Sequence, residues 1–410
     1  MINISDKANC CGCEACSNIC PVHCITMKAD EEGFLYPNVD NEKCINCGRC
    51  ENICPILNNF PIVDRLRAGY AAINTDLYNR LKSSSGGVFT LLAEHILNEG
   101  GVVVGCSFSE DCKKAYHLVI EDKYSLEKLR GSKYLQSNIQ GAYINVKKQL
   151  ENNRKVLFSG TPCQVAALKS FLKKEYNNLI CIDLICHGVP SPLLWNDNVE
   201  YIEKTQKCKL IDVNFRGKKH GGDIAYGITH QKGIKSFYRS KKQDPYFQFF
   251  LQNLSLRPSC YKCLFKGLDR ISDITLGDFW GIEDYVPELE DGKGVSVVVV
   301  HSVAGEILLE KLKSRLIMKE INAKEVFKKR NKAMCESSKI PENRNAFWND
   351  YQALSFDRLC KKHAPVSAKE RIKIALDKIG IQSKTQRLGS KDYVLLYYYV
   401  PTKARTARYE

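Results

Sequence analysis

Cys10-Cys11-Gly12-Cys13-Glu14-Ala15-Cys16-Ser17-Asn18-Ile19-Cys20-Pro21 returns 34 positions later as Cys44-Ile45-Asn46-Cys47-Gly48-Arg49-Cys50-Glu51-Asn52-Ile53-Cys54-Pro55. Each copy reads C-x2-C-x2-C-x3-C-P. Three closely spaced thiolates can wrap three irons of a cubane from one loop, while the fourth cysteine opens the next segment and serves the other cluster. The spacing therefore joins Cys10, Cys13 and Cys16 with Cys54 in one site, and Cys44, Cys47 and Cys50 with Cys20 in a second. Pro21 and Pro55 turn the chain after the fourth cysteine. A pair of zinc knuckles is the competing reading, but zinc needs four ligands in a tetrahedron and this run packs three into one loop. Cys11 and Cys24 fall outside the pattern and read as small packing residues.

The duplicated run is that of bacterial-type ferredoxins with two [4Fe–4S] clusters, so residues 1–58 are expected to form an α+β ferredoxin module. Ten of the 20 cysteines lie in the first 54 of 410 residues. The whole length predicts two or three structural units. With 44% hydrophobic and 26% charged residues, the chain has the composition of a folded protein and needs no disulfide staples. The start, MINISDKANC, has neither a basic n-region nor an apolar h-region, and no apolar run nears the roughly 18 residues of a membrane span. A cysteine-rich chain of this kind is expected in a reducing compartment, where cysteines bind metal or do redox chemistry; the expected location is the cytoplasm. Residues 1–60 hold four Lys/Arg against eight Asp/Glu, a net of −4, so +19 of the overall +15 belongs to the rest. No zinc finger, RNP or helix-turn-helix pattern accompanies that charge, and a nucleic-acid partner is not expected.

After a linker, Leu57 to Arg67, residues 69–330 alternate strand and helix signals. Strands are expected at Val102–Gly105, Lys155–Phe158, Leu179–Ile185, Ile211–Phe215 and Val295–His301. Helices are expected at Val88–Asn98, Gln164–Lys174, Leu193–Lys204 and Gly305–Ser314. The alternation predicts an α/β domain with a mainly parallel sheet. Residues 331–410 read as a basic extension.

Three further groups carry chemistry. Cys163, in Ser159-Gly160-Thr161-Pro162-Cys163-Gln164, opens a helix after a strand, and Cys186, in Cys186-His187-Gly188, follows the strand Ile180–Ile185. Both are expected at the carboxyl ends of strands, the edge where open α/β sheets bind ligands. With Cys260-x2-Cys263 they make a possible third four-cysteine site, although Cys106, Cys112, Cys181 and Cys208 compete for such a role. A Cys163/His187 nucleophile pair is the enzymatic alternative, without any other thiol-hydrolase feature. Lys82-Ser83-Ser84-Ser85-Gly86-Gly87 leads into the helix at Val88 and offers an anion site for a nucleotide or flavin phosphate, or merely a turn. Arg130-Gly131-Ser132-Lys133-Tyr134 adds donors and a ring.

The ordered set SSSGGVFT, GSKY, SGTPCQ, CHGVPS, Cys260-x2-Cys263 and Asp273-Ile-Thr-Leu-Gly-Asp278-Phe-Trp-Gly resembles the coenzyme F(420) hydrogenase/dehydrogenase beta-subunit family, in the variant fused to a two-cluster ferredoxin module. The resemblance implies FAD and a [4Fe–4S] cluster in the main domain, three clusters in all. It makes Cys163, Cys186, Cys260 and Cys263 ligands of the third. It makes Ser84, Ser85, Gly86, Gly87 and Lys133 candidates for FAD contact, with Thr161 and Asp278 to Trp280 near the flavin or its cluster.

The expected protein is an iron–sulfur flavoprotein oxidoreductase. FAD would exchange a hydride with a small organic partner, a deazaflavin or a nicotinamide, and exchange electrons through the clusters with ferredoxin or another carrier protein, in either direction. An electron-relay subunit without substrate chemistry, and a ferredoxin-dependent reductase of a polysaccharide-pathway intermediate, are the alternatives. Residues 369–410 carry ten Lys/Arg against four acids, beside a short amphipathic pattern (Ile372, Ala375, Leu376, Ile379) and the aromatic run Tyr393–Val400. They are expected either to touch a membrane surface peripherally or to pack on the body as a last helix and strand.

Overall fold

The computed structural model describes residues 1–58, 65–218, 223–230 and 233–368, with residue 370 and the strand pair Gln382–Lys384 and Tyr397–Tyr399. The cysteine repeat folds as a repeat. Gly12 and Asn46, then Glu14 and Gly48, take left-handed conformations at matching places, with φ of 66°, 52°, 60° and 68°. Glycine and asparagine tolerate this region best. Glu14 is held there from outside: its buried carboxylate accepts the backbone N–H groups of Ile139 (2.9 Å) and Gln140 (3.0 Å). Each loop runs into a short helix, Ala15–Ile19 and Arg49–Asn52, and the antiparallel pair Ile25–Ala29 and Leu35–Val39 lies between the copies.

The main body is a nine-stranded sheet. In spatial order its strands are Leu316–Glu320, Ala68–Asn74, Ser296–Val300, Ile274–Asp278, Leu179–Leu184, Val156–Gly160, Val102–Phe108, Ala115–Ile120 and Ser137–Asn138. The four strands from Ile274–Asp278 to Val102–Phe108 run parallel to one another, so the expected parallel sheet is its centre. Antiparallel strands extend it on both sides. Ser296–Val300 explains why direction escaped the sequence: every residue is buried, and burial on both faces, not direction, produces an unbroken apolar run. Helices Val88–Asn98 and Pro162–Leu172 appear where expected, each packed on the sheet through buried Leu, Val and Ala side chains. The expected strand at Ile211–Phe215 belongs instead to a separate three-stranded antiparallel sheet, Lys209–Gly217, Asp223–His230 and Gly233–Arg239.

The packed body continues past residue 330. Helices Arg344–Ala353 and Phe356–His363 bury Phe347, Trp348, Leu359 and Cys360 in one core cluster with Trp195 and Phe249. Two aromatic anchors among charged neighbours gave too weak a periodicity to be read. Arg344 also reaches the N-terminal module: its guanidinium makes a bidentate pair with Glu32 at 2.8 and 2.5 Å, both side chains 11% exposed. The amphipathic pattern Ile372–Ile379 and most of Tyr393–Val400 lie outside the described residues. Among the described residues no helix is long and apolar enough to cross a membrane.

Candidate functional site

The parallel strands bring the predicted residues to one edge. Val156–Gly160 ends at Thr161 and the helix that opens with Pro162 and Cys163. Its parallel neighbour Leu179–Leu184 ends just before Cys186. Pro162 occupies the first helical turn, where its missing N–H costs nothing. The Thr161 N–H donates to Gln164 Oε1 at 3.0 Å, which fixes that turn. Cys260 and Cys263 come from the turn Pro258–Lys262 and its end. That loop is pinned to the Cys186 loop: Arg257 N–H donates to Val189 O (3.0 Å), Ser191 N–H to Ser255 O (2.8 Å), and Val189 N–H to the Cys260 sulfur (3.4 Å).

Cys163, Cys186, Cys260 and Cys263 line one cavity of about 180 Å³ together with Cys11 and Lys266. Burial pushes the Cys186 thiol up to about 12 and raises Cys260 and Cys263 as well. Cys163 moves the other way, down to about 7, through its neighbour Cys11 and then the Thr161 hydroxyl at 3.1 Å. Lys266, which hydrogen-bonds the Cys186 carbonyl, and Arg270 add positive charge nearby.

The N-terminal cysteines gather in two groups. Cys20, Cys44, Cys47 and Cys50 line one cavity. Cys10, Cys13 and Cys54 surround Cys16, whose thiol is raised by burial and then by those three neighbours. All twenty cysteines are free of disulfides. Among the described residues no three Cys, His, Asp or Glu side chains are grouped to hold a single metal ion. Soft four-thiol sets around a cavity suit a polynuclear cluster, in which each thiolate takes a different iron.

The flavin candidates lie along the same edge and beside it. Ser84 Oγ accepts from Ser132 N–H (2.9 Å) and Ser132 Oγ (3.0 Å), which joins the two predicted donor loops. Ser85 Oγ donates to Val295 O at 2.8 Å. Among the described residues Lys133 Nζ donates to the carbonyls of Lys128 (2.9 Å) and Arg130 (2.7 Å), and burial lowers it to about 8. The glycines have a reason of their own. A Cβ on Gly86 would run into the Ala72 carbonyl and Ser296, and Gly87 sits at φ 84° with Arg80 Cα 3.1 Å from a Cβ position. Strand and helix packing alone is enough to require them. Asp278 pairs with Arg216 at 2.9 Å, and that guanidinium lies 4.7 Å over the half-exposed Trp280 ring.

Residues 153–325 match the family model for the C terminus of the coenzyme F(420) hydrogenase/dehydrogenase beta subunit, and residues 9–57 match the 4Fe-4S dicluster domain. Over residues 153–325 the chain is thus similar to that beta-subunit family. It is an iron–sulfur electron-transfer protein related to the F(420) hydrogenase beta subunit. The fold is similar to a chain of the F(420)-reducing [NiFe] hydrogenase complex from Methanosarcina barkeri, with 16% identity, 72% of this chain and 96% of that chain covered, and a TM-score of 0.44. No curated protein matches the chain.

Around the beta-subunit domain several residues escaped the sequence reading. Cys11 packs in one core cluster with Cys13 and Cys163, as a small packing residue should, and also lines the cavity. Cys24 lies 3.4 Å from the Cys20 sulfur and lines the same cavity. Lys218 donates to Arg80 O (2.6 Å) and to Ser85 O, and burial brings it to about 8. Arg257 and Gln136 contact the Cys10–Gly12 loop. Of these only Cys11 carried a signal, its adjacency to Cys10.

Proposed function

We propose that this chain is a flavin-dependent iron–sulfur oxidoreductase, with residues 1–58 and 69–330 as its electron-carrying and flavin-bearing units. In this reading Cys20, Cys44, Cys47 and Cys50 hold an outer cluster, Cys10, Cys13, Cys16 and Cys54 a middle one, and Cys163, Cys186, Cys260 and Cys263 an inner one. FAD, when bound, converts a two-electron hydride exchange with a small organic partner into single electrons for clusters. The hydroxyls of Ser84, Ser85 and Ser132 and the Lys133 ammonium bind its phosphates, and Lys218 neutralises them from beside Ser85. Thr161 orients the Cys163 sulfur.

The observation that carries the reading is the Cys10–Cys11 peptide. Cys10 belongs to the middle set, while Cys11 lines the inner cavity beside Cys163, so two redox sites share consecutive residues. At the far end Cys47 and Ile45 are exposed, the latter at 61%, which suits a docking carrier protein such as ferredoxin.

Anaerobically purified protein tests it by stopped-flow mixing with reduced deazaflavin and with reduced nicotinamide. The expected result is flavin bleaching followed by cluster reduction. A chain that loads clusters but binds no flavin, even after reconstitution with FAD, defeats the proposal.

A further inference from the structure

Arg257 is fully buried. Its Nε donates to Cys10 O at 2.7 Å, Nη1 to Gln136 Oε1 at 3.0 Å, and Nη2 to Leu35 O at 2.9 Å and to the Cys10 sulfur at 3.5 Å. The Tyr36 and Phe34 rings lie 4.3 and 5.4 Å from its central carbon. The place is built for it. A Cβ on Gly12 would come within 2.5 Å of Nη1 and of Gln136 Nε2, and Gln136 in turn donates to Cys11 O (3.1 Å) and Gly12 O (3.3 Å).

What this cation lacks is an anion. Among the described residues no carboxylate forms an ion pair with it, and the buried Glu14 is engaged by the Ile139 and Gln140 amides. A guanidinium does not give up its proton, and an unpaired buried charge costs several kcal/mol. The groups that favour its charged form are Cys10, Tyr36, Cys11 and Cys260. The cavity of Cys20, Cys44, Cys47 and Cys50 also has cations, the Met1 ammonium and Arg49, but Met1 is paired with Glu51 at 2.8 Å and among the described residues neither donates a hydrogen bond to those sulfurs.

We propose that Arg257 is the counter-charge of the middle cluster, a positioning residue that acts through Cys10 and holds that cluster's reduction potential above the outer one's. The inference rests on the cluster assignment under Proposed function. Reduction adds an electron to an already anionic cluster, and a fixed cation with an N–H···S bond favours the reduced form. The middle cluster, beside the inner cavity, then holds an electron in preference to the outer one.

EPR-monitored redox titration of the full-length anaerobic protein tests this, with iron measured on each variant. Arg257→Gln should make one cluster at least tenfold harder to reduce at fixed potential, which is about 59 mV for a one-electron couple. Arg257→Lys keeps the charge but loses the fork and should shift the same cluster less. The shift should persist in a Cys263→Ser background, where the inner cluster is gone. The proposal falls if all midpoints stay unchanged, if Lys shifts as far as Gln, or if the effect vanishes with Cys263→Ser. Should Arg257→Gln lose iron, Arg257→Lys decides alone: a lowered midpoint at one cluster supports the role, and an unchanged one overturns it. Wild-type protein lacking one of the three clusters would instead defeat the assignment beneath it.

Discussion

Glu32→Ala should loosen the ferredoxin module from the body. Glu32 and Arg344 make a bidentate pair at 2.8 and 2.5 Å with both side chains 11% exposed. Arg344 also donates to Tyr261 Oη (3.0 Å) and Leu256 O (3.1 Å), so it stays buried when its partner goes. Breaking a buried pair from one side costs roughly 3–5 kcal/mol, whereas replacing both partners with apolar residues is often near neutral. Burial raises the Glu32 carboxyl in spite of Arg344, which agrees with a pair that barely repays its desolvation. Its folded-state value lies above the unfolded one, so the ionised carboxylate costs stability above that value, and Glu32→Gln should be milder than Glu32→Ala. The assay is native-state hydrogen exchange at the Ile139 and Gln140 amides, which bond Glu14 of the module and report its undocking. The single variant should lower their protection by roughly two to nearly four orders of magnitude, at about 1.4 kcal/mol per tenfold. Glu32→Leu with Arg344→Met should recover most of it. Single effects under tenfold that merely add in the double variant would show that this interface is not closed in solution.

Other outcomes can be stated briefly. Anaerobic protein should hold about twelve iron and twelve inorganic sulfide per chain, three cubanes of four, and Cys263→Ser about eight of each; stoichiometric zinc in wild type would refute the ferredoxin chemistry. Lys133→Met should lose flavin while the EPR signals of the N-terminal clusters persist, and retention of FAD would remove Lys133 from the site. Without flavin, the same variant should be stabilised at pH 7 by at most about 3 kcal/mol, less what solvent screening removes at a half-buried side chain. Lys133 titrates near 8 rather than 10.5, so its penalty is complete below about pH 8 and fades as pH rises towards 10.5. Equal stability of variant and wild type in pH 7 urea melts would refute that burial. Gly87→Val should unfold the region around Val88–Asn98, because φ is 84° there; a soluble variant with normal circular dichroism and lost flavin would show that the glycine serves the ligand instead.

The repeat was legible because cluster ligation is local: Cys10 to Cys20 and Cys44 to Cys54 each declare a loop, and the left-handed pairs Gly12/Asn46 and Glu14/Gly48 follow the same offset. The central strands and their edge were legible from apolar runs such as Val102–Val104 and Val156–Phe158. Long-range polar contacts were not. Nothing near Arg257 in sequence announces a partner 247 residues away at Cys10, and nothing around Arg344 announces Glu32. The Ser-Ser-Gly-Gly turn was read for its shape, yet shape there is dictated first by Ala72 and Ser296.

That 312-residue separation between Glu32 and Arg344 also sets a clock. Synthesis proceeds at about 5–20 residues per second, so roughly 15–60 s pass between the emergence of the two side chains. Through most of that interval the Cys10 loop stands uncovered, since Gln136 arrives about a third of the way through and Arg257 later still. Iron and sulfide can reach the N-terminal cysteines directly while the ribosome is still working. The same opening admits dioxygen, so a culture aerated during expression should lose the middle cluster before one aerated after synthesis has stopped.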